Sequence, residues 1–151
     1  MFPSARTGSM RSVRGSDDDV LSPGEIGLLV DGLDDDVDFT WSLIHLGIRG
    51  NPPLADVPPS PEMVATAFRH LEVLVERGLI SIGRVEYVDP RQPANSGGPV
   101  RHRAEPIATV RQRVEEACAA ATDWADWAFS CWLVNTEAGD AVARQAAEAG
   151  A

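Results

Sequence analysis

The feature that most constrains the fold is a helix signal with clear ends that leads directly into a strand signal. Ser60 can cap a helix through its side-chain oxygen, and Pro61 fits the first helical position. Gly78 marks the end of the helix, and apolar residues recur before it at spacings of three and four, at Val64, Phe68, Leu71 and Val75. Residues 79–89 then alternate and are rich in β-branched side chains. The stretch predicts an amphipathic helix followed by a strand, with a β-bulge at Gly83.

Two shorter helices are predicted before this long one. The first has a capping box, with Ser22 as the N-cap and Glu25 three residues later. The second covers residues 39–48, with Asp38 as its N-cap and Gly50 as its end. Trp41 is expected to face the core from this second helix. The apolar faces of the three helices together predict a first core of Leu29, Ile44, Val64, Phe68, Leu71 and Val75.

The C-terminal half is predicted to contain a loop, a helix, a strand and a closing helix. A loop rich in Pro, Gly, Ser and Asn covers residues 90–99, and a helix follows over residues 106–121. Residues 128–134 are expected to form a strand, although the nearby Trp124-Ala-Asp-Trp127 leaves a helix open as the alternative. We expect this strand to pair antiparallel with residues 79–89, with the helix at 106–121 connecting the two from outside.

The N-terminal segment differs from the rest of the chain in composition. Residues 1–14 contain three arginines and no acid, and no apolar segment follows them as in a secretory signal. We expect residues 1–20 to be a disordered arm and residues 21–151 to be a single domain. No stretch approaches the ~20 apolar residues of a membrane span, so a cytoplasmic protein is expected.

Two short phrases resemble the ends of the wing in the winged helix-turn-helix superfamily. Residues 71–80 (LEVLVERGLI) resemble the end of its recognition helix and the start of the first wing strand. Thr136-Glu137-Ala138-Gly139 resembles the joint at which the second wing strand leads into a C-terminal helix. The resemblance implies an α+β fold with a tri-helical core, a small antiparallel sheet and extra C-terminal helices. One departure is the long insertion between the two wing strands.

The residues needed for catalysis or metal binding do not form a recognisable pattern. The chain has no lysine, which excludes Schiff-base and Walker-lysine chemistry, and its three histidines are far apart in sequence. The acidic run at residues 34–38 lacks the glycine and the terminal glutamate of a calcium loop. Cys118 and Cys131 lie among apolar residues and are expected to be buried thiols. We therefore predict a protein that is not an enzyme and needs no metal or cofactor.

Binding is the remaining function, and the sequence leaves two classes of partner open. The winged-helix resemblance implies DNA, but the net charge of −10 and the carboxylates of Glu62, Glu72 and Glu76 on the third helix oppose it. Aromatic residues and arginine are enriched at protein interfaces, which favours a protein partner or self-association. The alternative for each tryptophan is a place in the core. The candidate binding residues, for a partner or for phosphate, are Arg91, Arg101, Arg103, Arg111, Arg113, Trp124 and Trp127.

Overall fold

The computed structural model describes residues 20–50, 57–89, 91, 99–120 and 123–150. Within these ranges the chain is a mixed α+β protein with the elements α1 (Pro23–Asp31), β1 (Val37–Asp38), α2 (Phe39–His45), α3 (Pro61–Glu76), β2 (Ile80–Tyr87), β3 (Val100–Ala104), α4 (Ile107–Ala120), α5 (Trp124–Ala128), β4 (Trp132–Asn135) and α6 (Glu137–Gly150). None of the helices in the described ranges has the length and apolar character needed to cross a bilayer. The prediction of a disordered arm falls almost entirely on residues 1–19, which lie outside the described part.

The N-termini of the first three helices are those predicted from the sequence. Ser22 and Glu25 form the capping box of α1, with the Ser22 amide donating to the Glu25 carboxylate at 2.8 Å. Asp38 caps α2 by accepting from the Trp41 amide at 3.1 Å, and Ser60 caps α3 by accepting from the Met63 amide at 3.2 Å. The end of α2 was wrongly placed, because the chain leaves the helix at Gly47, where φ is 74°. That left-handed conformation is one that glycine adopts without steric cost.

The four strands form one antiparallel sheet in the order β1-β4-β2-β3. β2 and β4 pair as predicted, with Ile82 opposite Leu133, and α4 lies in the connection between them. The predicted start of the second strand was wrong, because Ala128 ends α5 and β4 begins at Trp132. β1 and β3 were not predicted. β3 carries arginine, histidine and alanine and is largely exposed, so it lacks the apolar alternation that reveals a strand.

Gly83 does not form the predicted bulge. The register is continuous through it on both sides, opposite Ala104 of β3 and Trp132 of β4. A Cβ atom at this position would collide with the carbonyl oxygen of Arg103. Gly83 therefore permits a close approach of the β2 and β3 backbones, which is the other usual reason for glycine within a strand.

The core lies between the helices and one face of the sheet. Phe39 and Phe68 pack with their ring centroids 5.8 Å apart, and α3 also packs against α4 and β2. The buried hydrophobic residues of the core include Leu29, Leu43, Val64, Phe68, Leu71, Leu74, Val110, Val114 and Leu133.

Three of the predicted core positions need correction. Leu43 and Leu74 are fully buried, whereas their neighbours Ile44 and Val75 are only half-buried. Trp41 is 44% exposed. The N-cap at Asp38 sets the phase of α2 so that Phe39 and Leu43, four residues apart, share the inward face. The other predicted members, Leu29, Val64, Phe68 and Leu71, are buried as expected.

Both cysteines are free and buried, as predicted. Burial raises the pKa of the Cys118 thiol to about 11 and raises that of Cys131 as well. A thiol with a raised pKa forms little thiolate near neutral pH, and the thiolate is the nucleophile and the metal ligand. Both side chains therefore serve as small apolar groups of the core.

Candidate functional site

The five arginines singled out in the sequence lie in a loop, on β3 and on α4, and each has a carboxylate partner. Arg91 pairs with Asp89 at 3.2 Å, beyond the end of β2, and Arg111 pairs with Glu115 at 3.3 Å along α4. Exposed pairs of this kind contribute little to stability and are screened by salt. Each pair nevertheless has no net charge, so these two arginines offer little attraction to a polyanion.

Arg113 has a structural position. Its guanidinium forms two hydrogen bonds to the Glu105 carboxylate, at 2.7 and 3.0 Å, and a third to the carbonyl oxygen of Ser130 at 2.9 Å. This set joins the start of α4 to the turn between α5 and β4. The Arg113 hydrogen bond holds the pKa of Glu105 below its usual value, which keeps the pair ionised. The Arg113 guanidinium therefore makes its hydrogen bonds within the protein, and it is not directed at a binding partner.

The remaining two arginines belong to a cationic cluster around Glu86, which consists of Arg84, Arg101, Arg103 and Glu86. The three guanidiniums lie 3.9, 3.3 and 3.7 Å from the Glu86 carboxylate. In the β2–β3 ladder Arg84 is opposite Arg103 and Glu86 is opposite Arg101, so all four start from the same face of the sheet. Three positive charges share one negative charge there.

The two tryptophans singled out in the sequence have different environments. Trp127 is only 1% exposed and belongs to the core, with the Arg49 guanidinium 5.7 Å from its ring centroid. Its side chain is therefore inaccessible to a partner. Trp124 is half-buried, and its ring lies edge-on to Phe129 with centroids 5.1 Å apart. Phe129 in turn stacks on Trp132 at 5.3 Å.

Phe129 and Trp132 border a groove on the face of the sheet that is turned away from the core. The register places Trp132, Val85 and Tyr87 on this face, together with Val100 opposite Tyr87. The groove has a volume of about 460 Å³, which is enough for one or two side chains of a bound molecule. We call it the aromatic groove, and it is lined by Asp35, Asp36, Val85, Glu86, Tyr87, Val100, Phe129 and Trp132.

Apolar atoms of the aromatic groove are accessible from outside. Phe129 is 43% exposed and Val100 is 49% exposed, and they line the same groove as the half-buried Trp132 and Tyr87. Large apolar side chains grouped in this way on a surface indicate an interaction site, whereas single ones need no explanation.

One end of the groove is acidic, and its polar groups are incompletely satisfied. Burial raises the pKa of Asp36, and the nearby Asp35 adds to this while His102 opposes it. In the described part of the chain the Asp36 carboxylate makes no hydrogen bond or ion pair. His102 bonds to Ser81 through Nε2 at 3.1 Å, but its buried Nδ1 has no partner there, and burial lowers the pKa of its ring.

Comparisons of the chain with models of protein families, with curated proteins and with solved structures find no match. Among the described residues, no group of three or more His, Cys, Asp and Glu side chains is arranged to hold a metal ion.

The sequence did not single out most residues of the aromatic groove. Asp35 and Asp36 were considered as part of a calcium loop, and Phe129 was placed inside a predicted strand that in the structure begins three residues later. A usable signal was present: Phe129 and Trp132 are two aromatics beside Trp124, in a chain whose aromatic content is only 6%. Aromatic residues concentrated in one short segment are typical of an interaction surface.

Proposed function

We propose that the protein is a non-catalytic, winged-helix-like binding module that contacts another protein through the aromatic groove, in a regulatory role. The observation that carries this proposal is the pair of stacked rings at the groove, Phe129 and Trp132, of which Phe129 is 43% exposed. Aromatic side chains of this kind are the residues that most often dominate the binding energy of protein interfaces.

The order of the elements supports the winged-helix part of the proposal. Three helices lie before β2, share one core, and are followed by the antiparallel pair of β2 and β4, which would be the two wing strands. β3, α4 and α5 would then form the insertion between the wing strands. The short β1, between α1 and α2, extends the same sheet beside β4.

Charge favours a protein over DNA as the partner. α3 would be the recognition helix, and it exposes Glu62 and Glu76, which would lie against the phosphates of a major groove. The aromatic groove is itself lined by Asp35 and Asp36. A polyanion would therefore meet repulsion at both surfaces.

DNA binding by a transcriptional regulator remains the second candidate because of one observation, the cationic cluster around Glu86. Arg84, Arg101 and Arg103 are all about half-exposed or more and share a single carboxylate. Arginines on the β2–β3 hairpin are suitably placed to contact phosphate if the hairpin acts as a wing. Such contacts give affinity without sequence information.

The test of protein binding uses two aromatic residues of equal exposure. Phe129 is 43% exposed in the groove, and Trp41 is 44% exposed on α2, away from it. We expect Phe129→Ala to weaken capture of the partner from a lysate of the source cells, measured by quantitative mass spectrometry, and Trp41→Ala to leave it unchanged. A set of captured proteins that is the same for both variants and the parent would contradict the proposal.

A further inference from the structure

We infer that the aromatic groove binds a basic peptide segment of its partner, with an arginine side chain stacked on Phe129 or Trp132 and paired with Asp36. This inference rests on the proposed protein-binding function and adds the chemistry of the partner. The observations that carry it are aromatic faces and unpaired carboxylates lining the same groove.

The aromatic side of the groove suits a guanidinium group. Phe129 and Trp132 are stacked with centroids 5.3 Å apart, and both line the groove. Arginine stacks on aromatic faces through its planar guanidinium and is attracted by the ring quadrupole. The molecule already uses such a contact inside, where Arg49 lies over Trp127.

The acidic side of the groove supplies the matching charge. Asp35 accepts a hydrogen bond from the Asp36 amide at 2.8 Å, which holds the two acidic residues in one tight turn. The Asp36 carboxylate is partly desolvated; the His102 ring lies near it, but none of the described residues forms an ion pair with it. A desolvated carboxylate without a partner is costly, and an incoming guanidinium would remove this cost while donating two parallel hydrogen bonds.

The other ionisable groups at the groove offer little attraction to the partner's arginine, so we expect it to bind at the end formed by Asp36. Glu86 also lines the groove, but its charge is already shared by Arg84, Arg101 and Arg103. His102 has a lowered pKa because of burial, which keeps its ring neutral at pH 7. The only strong attraction for a positive side chain among these groups comes from Asp35 and Asp36.

The test is the binding of fluorescein-labelled twelve-residue Gly-Ser peptides with two central arginines, two glutamines or two glutamates, measured by fluorescence anisotropy at low salt. We expect the arginine peptide to bind about tenfold more tightly than the glutamine peptide, as one charge-assisted pair provides. We expect the glutamate peptide not to bind.

Matched variants distinguish the groove from the acidic surface as a whole. The double variant Asp35→Asn, Asp36→Asn should lower the affinity for the arginine peptide about tenfold. The control, Glu62→Gln with Glu76→Gln, removes the same charge from the exposed face of α3 and should leave affinity within about twofold. Phe129→Leu keeps an apolar side chain without a ring and should weaken binding about two- to fivefold. Thermal melts check that each variant is folded.

The outcomes separate this inference from the proposed function. The arginine and glutamine peptides could instead bind with equal affinity, and Phe129→Leu could weaken both. That result would overturn the inference that the partner is basic, while the groove would remain a protein-binding site. Equal effects of the two double variants, or no binding of the arginine peptide at millimolar concentration, would also overturn this inference. The proposed function fails by a different result, which is capture of the same proteins by Phe129→Ala and Trp41→Ala.

Discussion

The hydroxyl of Thr136 donates a hydrogen bond to the carbonyl oxygen of Gly78 at 2.6 Å. The hydroxyl oxygen of Thr136 also accepts from the amide of Gly139 at 3.1 Å, so Thr136 is the N-cap of α6. The Thr136 amide also donates to the carbonyl of Leu79 at 3.1 Å. One residue therefore fixes the start of α6 to the end of α3, and it does so between the two phrases that resemble the ends of a wing.

Gly139 should be essential for this joint. A Cβ atom there would collide with the Leu79 carbonyl oxygen, so α6 lies against the segment leading into β2 at this point. We expect Gly139→Ala to destabilise the protein by about 1–3 kcal/mol, in spite of the better helix propensity of alanine. Gly150→Ala is the control, because nothing lies within 4 Å of Gly150 in the same helix. Urea unfolding measures both, and equal midpoints would contradict the expectation.

Phe68 should be a central residue of the core. It is fully buried and packs on Phe39 at 5.8 Å. We expect Phe68→Ala to cost about 3–5 kcal/mol, a large part of the stability of a typical domain. The same substitution at the partly exposed Phe129 should cost much less, since it removes fewer contacts. A thermal melt of Phe68→Ala that coincides with that of the parent would show that the core has been wrongly described.

Glu25 should make the stability of the protein depend on acid pH. Burial alone would raise the pKa of Glu25, but the hydrogen bonds from His70, 2.7 Å away, and from Ser22 outweigh it and hold the pKa below 4.5. A carboxyl whose pKa is lower in the folded state contributes stability above its unfolded pKa and loses it as pH falls. The parent should therefore lose stability below about pH 4.5 more steeply than Glu25→Gln does.

The measurement is the urea midpoint of both proteins at a series of pH values from neutral to well below the ordinary pKa of glutamate, about 4.3. Glu62→Gln is the control, because Glu62 is exposed in the first turn of α3 and makes no ion pair with a described residue. Its profile should follow that of the parent. Parallel profiles for Glu25→Gln and the parent would show that the contact with His70 has no role in acid unfolding.

Arg113 should contribute to stability, whereas Arg111 should not. Arg113→Gln would remove three hydrogen bonds and leave the half-buried Glu105 without its partner, at a cost of about 1–3 kcal/mol. Arg111→Gln removes only the exposed pair with Glu115 on the same helix and should change stability by less than about 0.5 kcal/mol. Urea unfolding at low and high salt measures both. Equal effects would mean that the Arg113 contacts are no stronger than a surface pair.

The sequence predicted the features that depend on residues close together in the chain, and missed most of those that depend on residues far apart. The caps at Ser22, Asp38 and Ser60 were predicted correctly because each side chain bonds to an amide three residues away. The pairing of β2 with β4 followed from the resemblance to a wing. β3 could not be found in this way, because its largely exposed residues, mostly arginine and histidine, show no apolar alternation.

The candidate site was only partly predictable for the same reason. The aromatic groove combines Asp36 after α1, Tyr87 on β2, Val100 on β3, and Phe129 and Trp132 around the start of β4. No local pattern brings these residues together, since the sheet order alone decides that they meet. The burial of Trp127 beside the half-buried Trp124 likewise depends on the short helix α5, which the sequence suggested only as an alternative to a strand.

The last expectation concerns DNA. Of the arginines singled out in the sequence, those of the cationic cluster are the ones suited to binding, because Arg91, Arg111 and Arg113 each pair with a carboxylate of their own and α3 exposes Glu62 and Glu76. We expect no gel shift of duplex DNA at ~0.15 M salt, since two net positive charges in a strongly acidic molecule release few counterions. Joint replacement of Arg84, Arg101 and Arg103 by glutamine should then change nothing. The control is replacement of Arg91 and Arg111 by glutamine. Arg91 is exposed and Arg111 is half-buried, and both lie on other parts of the surface.

A sub-micromolar shift with one DNA sequence would reverse the order of the two functions. In that case log K should fall with log salt at about −0.9 per phosphate contacted, and the triple variant should flatten this slope by up to about three phosphates. The Arg91 and Arg111 variant should keep the slope of the parent. A slope that is lowered equally by both sets would place the DNA outside the β2–β3 hairpin and would argue against its role as a wing.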